Sequence, residues 1–357
     1  MLAIASAFTR VPGYLDTASY GLPSRAAARA VRDAVRAWQA GTLDPAAFDP
    51  AVERMRAAFG TLVGAAADDV TLAGSTSQVV GMVAASLPDG ARVAIAEGDF
   101  ASVCFPFLAD PRLRVDVVPL DGIVAAAATA DLVAVSAVQS SDGRVANLDA
   151  LATAARVSGA KTLVDASHAA GWMELSARDF DVVVASAYKW LAAPRGIALA
   201  AVRPDAAWVR PVNAGWYGAD RPWDSLYGPR MQLSATARRL DTSPPWQLVE
   251  AGAISLELLA SQAVAEIGAH SVGLATRSAS ASGCHAAPRR SSRSRVSTRT
   301  PWREPGFAPR HAAVARASPS TSRTTSATST WSSTRCAPRP VRRREASPHH
   351  GEREAGP

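Results

Sequence analysis

Residues 162–190 read TLVDASHAAGWMELSARDFDVVVASAYKW. Two apolar runs in this stretch, Thr162–Val164 and Asp181–Ser186, have the length and branched composition of buried strands. The first ends in Asp165-Ala166-Ser167-His168. The second runs into Ser186-Ala187-Tyr188-Lys189-Trp190. Lys189 is one of only two lysines in the chain, the other being Lys161. Titratable side chains therefore gather at the carboxyl ends of two successive strands.

The same alternation extends outward on both sides. Strands are expected at Val70–Ala73, Arg92–Ala96, Val115–Pro119, Leu132–Val138 and 197–202. Ser24 is placed to cap a helix reaching about Ala40. Further helices are expected over Asp49–Leu62, from Ser77 to Ala85, and over Asn147–Val157. Strand and helix alternating at this spacing predict an α/β fold, a mostly parallel sheet flanked by helices. Ligands in such sheets collect at the carboxyl ends of the strands.

The net charge of +7 over 357 residues belongs to one end of the chain. Residues 278–357 carry 15 arginines against four acids, or +11, and the rest carries −4. Past Arg277 there is no Leu, Ile, Met, Asp, Asn, Gln, Tyr or Lys. Such a segment buries too little apolar surface to offset its ordering entropy, so 278–357 is expected to be a disordered Arg/Ser/Pro-rich tail. Three origins fit it: a natural basic tail, a tail that binds RNA or DNA through its arginines, or a reading-frame shift. The last is preferred. Read one base earlier, with free choice of synonymous codons, Ser278–His285 admits FRERLGLP. Arg316–Pro338 likewise admits RVSFHLANDERDVDLVVDALRP, which has the pattern of a strand and an amphipathic helix. Nucleic acid is accordingly not expected as a partner.

No apolar run of about 18 residues is present, so no membrane span is expected. The N-terminus has no basic region ahead of an apolar core, and a cytoplasmic location is expected. Cys104, Cys284 and Cys336 are too widely spaced for a disulfide framework or a metal site.

Gly74-Ser75-Thr76-Ser77 leads from a strand into a helix start, where unpaired N–H groups and hydroxyls suit a phosphate. Singly, each feature has a plainer reading. Ser75 and Asp165 could be helix caps, His168 a satisfied helix-start histidine, Phe100 a core residue and Lys189 a surface lysine. Jointly they form an ordered set of phosphate loop, aromatic, polar strand end, acid and lysine. An acid at one strand end and a lysine after the next are the anchors pyridoxal phosphate needs. The lysine forms the Schiff base and the carboxylate keeps the ring nitrogen protonated, so that the ring acts as an electron sink.

From about Tyr14 to Leu259 the chain resembles the class V aminotransferase family of fold-type I pyridoxal-phosphate enzymes. The likeness is carried by YLDTASYGLP, VDASHAAG, SAYKWLAAPRG, GWYG and RRLDTSPPW. It implies a large cofactor-binding domain with an N-terminal arm over 1–240. It also implies a small C-terminal domain that begins over 241–277 and is left incomplete. By resemblance, Lys189 looks like the Schiff-base lysine, Asp165 the ring-nitrogen partner, and His168 a neighbour of the phenolic oxygen. Phe100 matches the ring-stacking residue and Gln139 a polar position beside the ring. Ser75, Thr76, Ser186 and Tyr188 match phosphate neighbours. Ser243 falls where a partner subunit's hydroxyl reaches the phosphate, so a homodimer is implied. Tyr188 and Trp216-Tyr217-Gly218 are similar to kynureninase-like members. The resemblance implies an amino-acid substrate and favours a lyase breaking a C–S or other Cβ bond over an aminotransferase. The alternatives are a catalytically impaired truncated relative and a nucleic-acid binder acting through the tail. The family's C-terminal segment, which often supplies a substrate-carboxylate arginine, is missing in frame. Cys104 lies on the wrong element for persulfide transfer.

Overall fold

The computed structural model describes residues 3–281, so nearly all of the expected tail lies outside the described residues. Seven strands form one sheet in the order β1-β7-β6-β5-β4-β2-β3. They are β1 (Val70–Ala73), β2 (Arg92–Ala96), β3 (Arg114–Val118), β4 (Leu132–Ser136), β5 (Lys161–Asp165), β6 (Val182–Ser186) and β7 (Ala198–Val202). Strands β2 to β6 are parallel, and β7 pairs antiparallel with both β6 and β1. Six carboxyl ends therefore share one edge of the sheet. The chain goes from β2 outward to β3, then returns to β4 on the other side of β2, which creates a switch point between β2 and β4.

Strands β4, β6 and β7 are buried at every position, because helices cover both faces. On one face, α2 (Asp49–Val63), α6 (Leu148–Ser158) and α7 (Trp246–Ala260) pack through Met55, Phe59, Leu151 and Leu256. On the other, α3 (Thr76–Ser86) and α4 (Ala101–Leu108) pack through Val79, Val83 and Phe107. Helix α1 (Arg25–Gln39) starts where expected, with Ser24 Oγ accepting from Ala27 N at 3.1 Å. A Cβ added at Gly252 in α7 would lie 2.6 Å from Met55 Sδ, so glycine sets how closely α7 approaches α2. Edge strand β3 is largely exposed and carries Arg114 and Asp116, charges that discourage pairing with other chains.

The sequence pattern misses α4, which contains Pro106. Proline removes one helical donor, yet Val103, Cys104 and Phe107 are buried and hold the turn in place. Helix α8 (Val264–Ala281) continues past the change of composition at Arg277. No single helix among the described residues is long and apolar enough to cross a membrane.

Candidate active site

Five of the six strands that end at the shared edge, all but β3, lead into one cluster. Asp165 closes β5 and is 5% exposed. Its Oδ1 accepts from Ser167 N at 2.8 Å. Ser167 Oγ accepts from Ser186 N at 2.8 Å, and Thr76 Oγ1 lies 2.8 Å from Ser186 Oγ and 3.3 Å from Ser167 Oγ. These three buried hydroxyls tie the start of α3 to the ends of β5 and β6. Thr76 and Ser186 therefore point inward. Ser75, the N-cap of α3, stays half-buried beside exposed Ser77, its Oγ 3.2 Å from Ser77 Oγ.

Lys189 follows β6 and is 7% exposed. Its Nζ lies 2.8 Å from His168 Nε2 and 5.0 Å from the centroid of the Phe100 ring. Phe100 is 43% exposed, so part of the ring is open beside the amine. Desolvation lowers the pKa of Lys189; Asp165 opposes this and Arg195 adds to it. Desolvation, then the charge of Lys189, pushes His168 down to about 4, so its ring is neutral at pH 7. Burial raises Asp165 above the usual carboxylate range, against the opposing hydrogen bonds from Ser167. Asp165 forms no ion pair among the described residues.

The lysine loop is held on three sides. Ala187 N donates to Ile197 O and Ala193 N to Ala187 O, both at 3.0 Å. Ser255 Oγ on α7 donates to Ala192 O at 2.9 Å. Ala192 has φ 52°, a left-handed conformation that strains any residue with a Cβ. From the N-terminal arm, Gly21 N donates to Tyr188 O at 2.8 Å. A Cβ on Gly21 would sit 2.0 Å from Lys189 O, so only glycine allows this approach.

Lys189, His168, Phe100, Tyr188 and Asp165 thus come together as expected. Gln139 joins the same cluster through Asp99. It is 1% exposed, and its Nε2 donates to Asp99 Oδ2 at 3.2 Å and Ser136 O at 3.3 Å. Its Nε2 is engaged on the wall of the site, while its buried Oε1 has no hydrogen-bond partner among the described residues. Ser243 is exposed and makes no hydrogen bond among the described residues. Two residues escaped the sequence reading. Asp99 also accepts from Ser136 N at 2.8 Å and Phe100 N at 2.7 Å, bridging β2 to β4 at the switch point. Ser167 is the hub of the hydroxyl set. Their only sequence signal was proximity to Phe100 and His168.

Residues 44–216 match the family model for aminotransferase class V. Over that span, just under half of its length, the chain is similar to class V aminotransferases. An uncharacterized aminotransferase, YcbU of Bacillus subtilis (strain 168), is 28% identical over 232 residues. The match covers 61% of this chain and 61% of that relative, so the chain spans about three fifths of its length. The fold is shared with the cysteine desulfurase CsdA of Escherichia coli, with a TM-score of 0.64 at 17% identity over 80% of this chain and 78% of that one. A cysteine desulfurase from Thermococcus onnurineus NA1 gives 0.59 at 18% over 74% and 72%. The cystine C-S lyase C-DES gives 0.62 at 17% over 70% and 72%.

The cofactor implied by the class V family is pyridoxal phosphate, and the residues present fit it. A buried carboxylate that forms no ion pair among the described residues suits a protonated ring nitrogen. An open aromatic face suits a planar ring. A desolvated amine with a lowered pKa suits attack on a carbonyl. A helix N-terminus bearing Ser75 suits a phosphate.

Proposed function

We propose that this chain is a pyridoxal-phosphate enzyme of the class V aminotransferase type acting on an amino acid, as a lyase of a C–S or other Cβ bond rather than an aminotransferase. The observation that carries the reading is Lys189 Nζ set 2.8 Å from a neutral His168 and beside the open Phe100 ring, at the end of the sheet that also buries Asp165. When bound, the cofactor supplies a carbonyl for an amine to condense with and a ring that accepts an electron pair.

The chain's own residues divide the remaining work. Asp165 would hold a positive charge at the ring nitrogen and gain there the ion pair that it does not form with Lys189. Phe100 covers one ring face and excludes water from it. Lys189 Nζ would hold the cofactor, and as a free amine it would move the α-proton as base and then acid. His168, neutral at pH 7, orients that amine through Nε2 without competing for its proton. Ser75 and the first N–H groups of α3 receive the phosphate. By the resemblance, exposed Ser243 would reach the second copy's phosphate in a homodimer. The preference for a lyase rests on the resemblance to C–S-cleaving and kynureninase-like members.

The test is to add pyridoxal phosphate, reduce with borohydride and map the adduct by mass spectrometry. One pyridoxyl group on Lys189 is expected, with loss of both adduct and visible absorbance in Lys189→Ala. Lys161 is the only other lysine, so the position is unambiguous. An adduct that persists in Lys189→Ala would sink the assignment. Release of ammonia and a 2-oxo acid without an added acceptor would mark a lyase. Dependence on a second 2-oxo acid would mark an aminotransferase. Binding without turnover would mark the impaired relative.

A further inference from the structure

Arg195 has an arrangement that the roles above leave unused. It lies in the loop that joins β6 to β7, whose ends are clamped by the Ser186–Ala198 pairing and the Ala187–Ile197 hydrogen bond. The clamp folds the loop back, so that the Arg195 guanidinium carbon stands 4.7 Å from the centroid of the Tyr188 ring. That ring's centroid is 6.0 Å from Lys189 Nζ. The Tyr20 ring, 5.5 Å from that of Tyr188, props the same platform from the N-terminal arm. Arg54, Arg56, Arg112, Arg144 and Arg203 all reach carboxylates. Arg195 is exposed and makes no hydrogen bond or ion pair among the described residues.

A guanidinium resting on an aromatic ring keeps its N–H donors for another partner. Its planar fork matches an oxyanion through two parallel hydrogen bonds. The ring beneath stabilises the cation and limits its freedom, so less ordering remains to be done on binding. The position is close enough to Lys189 for its charge to be felt there. An anion arriving on the ligand of Lys189 would meet Arg195 first among these groups, because Lys189 itself is buried.

We propose that Arg195 is the oxyanion receptor for the small molecule held at Lys189, taking either the phosphate of the cofactor or the carboxylate of the amino acid. This rests on Lys189 being the cofactor lysine. The experiment compares full-length wild type, Arg195→Gln and Arg195→Lys in two matched pairs, read by visible absorbance. The first pair is pyridoxal phosphate against pyridoxal. The second, on loaded protein, is an amino acid against its amide.

Loss of a charge-assisted fork predicts about tenfold weaker binding of the anionic member of one pair in Arg195→Gln, with its neutral counterpart unchanged. Arg195→Lys should fall between. A phosphate-dependent loss assigns the cofactor, and a carboxylate-dependent loss assigns the substrate. Equal loss with and without the anion, or no loss in either pair, overturns the proposal. If wild type binds covalently at Lys189 while Arg195→Gln is indifferent, only this proposal falls. If wild type never binds at Lys189, the reading beneath it falls as well.

Discussion

Among the described residues, two clusters around buried charge contrast, Arg56 with Asp241 and Asp165 with Lys189 and half-buried His168. The first is closed. Asp241 is fully buried and Arg56 is 1% exposed. Asp241 accepts from Arg56, from Thr71 Oγ1 at 2.9 Å and from Leu72 N at 2.8 Å, and Arg56 also donates to Val70 O at 2.5 Å. The second is open. Asp165 has one backbone donor and no ion pair, and the amine of Lys189 meets a neutral ring. A closed set fixes a segment, here the chain around Leu240–Thr242 against α2 and β1. An open set leaves electrostatic demand that a ligand can meet. Burial alone does not separate structural from functional charge, and the state of the partners does.

The sharpest way to break this comparison is to open the closed pair. Arg56→Met strands Asp241 without a counter-charge and should cost about 3–5 kcal/mol in denaturant unfolding. Removing both charges with Arg56→Met and Asp241→Leu should recover much of that loss. A single variant as stable as wild type would mean that the pair is not holding the segment.

The converse experiment fills the open set. Burial raises the pKa of Asp165, so the folded cofactor-free protein binds that proton more tightly than the unfolded chain. Stability from this group is present at low pH and lost as pH rises past about 3.9. Asp165→Asn should therefore melt roughly 2–4 °C higher than wild type at pH 7 without cofactor. The difference should close below about pH 3.9. The same variant should hold pyridoxal phosphate poorly. A lower melting point at pH 7 would show that Asp165 already has a partner.

His168 gives the smallest and opposite effect. Its folded value of about 4 lies below the usual value of about 6.5. Its contribution is full above about pH 6.5 and is lost as pH falls toward the folded value. His168→Gln should flatten that acid-side decline, seen as a gain of about 2 °C or less at pH 4–5 relative to wild type. An unchanged pH profile would place the ring in a more solvated position.

Much of the closed framework and part of the open site were legible in the sequence. Continuous Val/Ala runs gave β1 and β2 to the residue and the other strands within two. Lys189, Asp165, His168 and Phe100 stood at strand ends, where residue type and position coincide. What stayed hidden depends on direction rather than identity. Gln139 and Thr76 lie at the expected positions, but their polar atoms turn inward to Asp99 and Ser186. No residue pattern reports which way a side chain turns. The Arg56–Asp241 pair joins residues far apart in the chain, and neither belongs to a local motif.

The contact between Gly21 and the lysine loop has a consequence in time. The arm holding Gly21 leaves the ribosome long before Tyr188, whose carbonyl it must bind. At about 5–20 residues per second, the delay is roughly 10–30 seconds. Through that interval Gly21 lacks its carbonyl partner and Tyr20 lacks the Tyr188 ring. The site is therefore assembled from two segments made well apart in time. A chain stalled before residue 188 would leave its arm open to proteases.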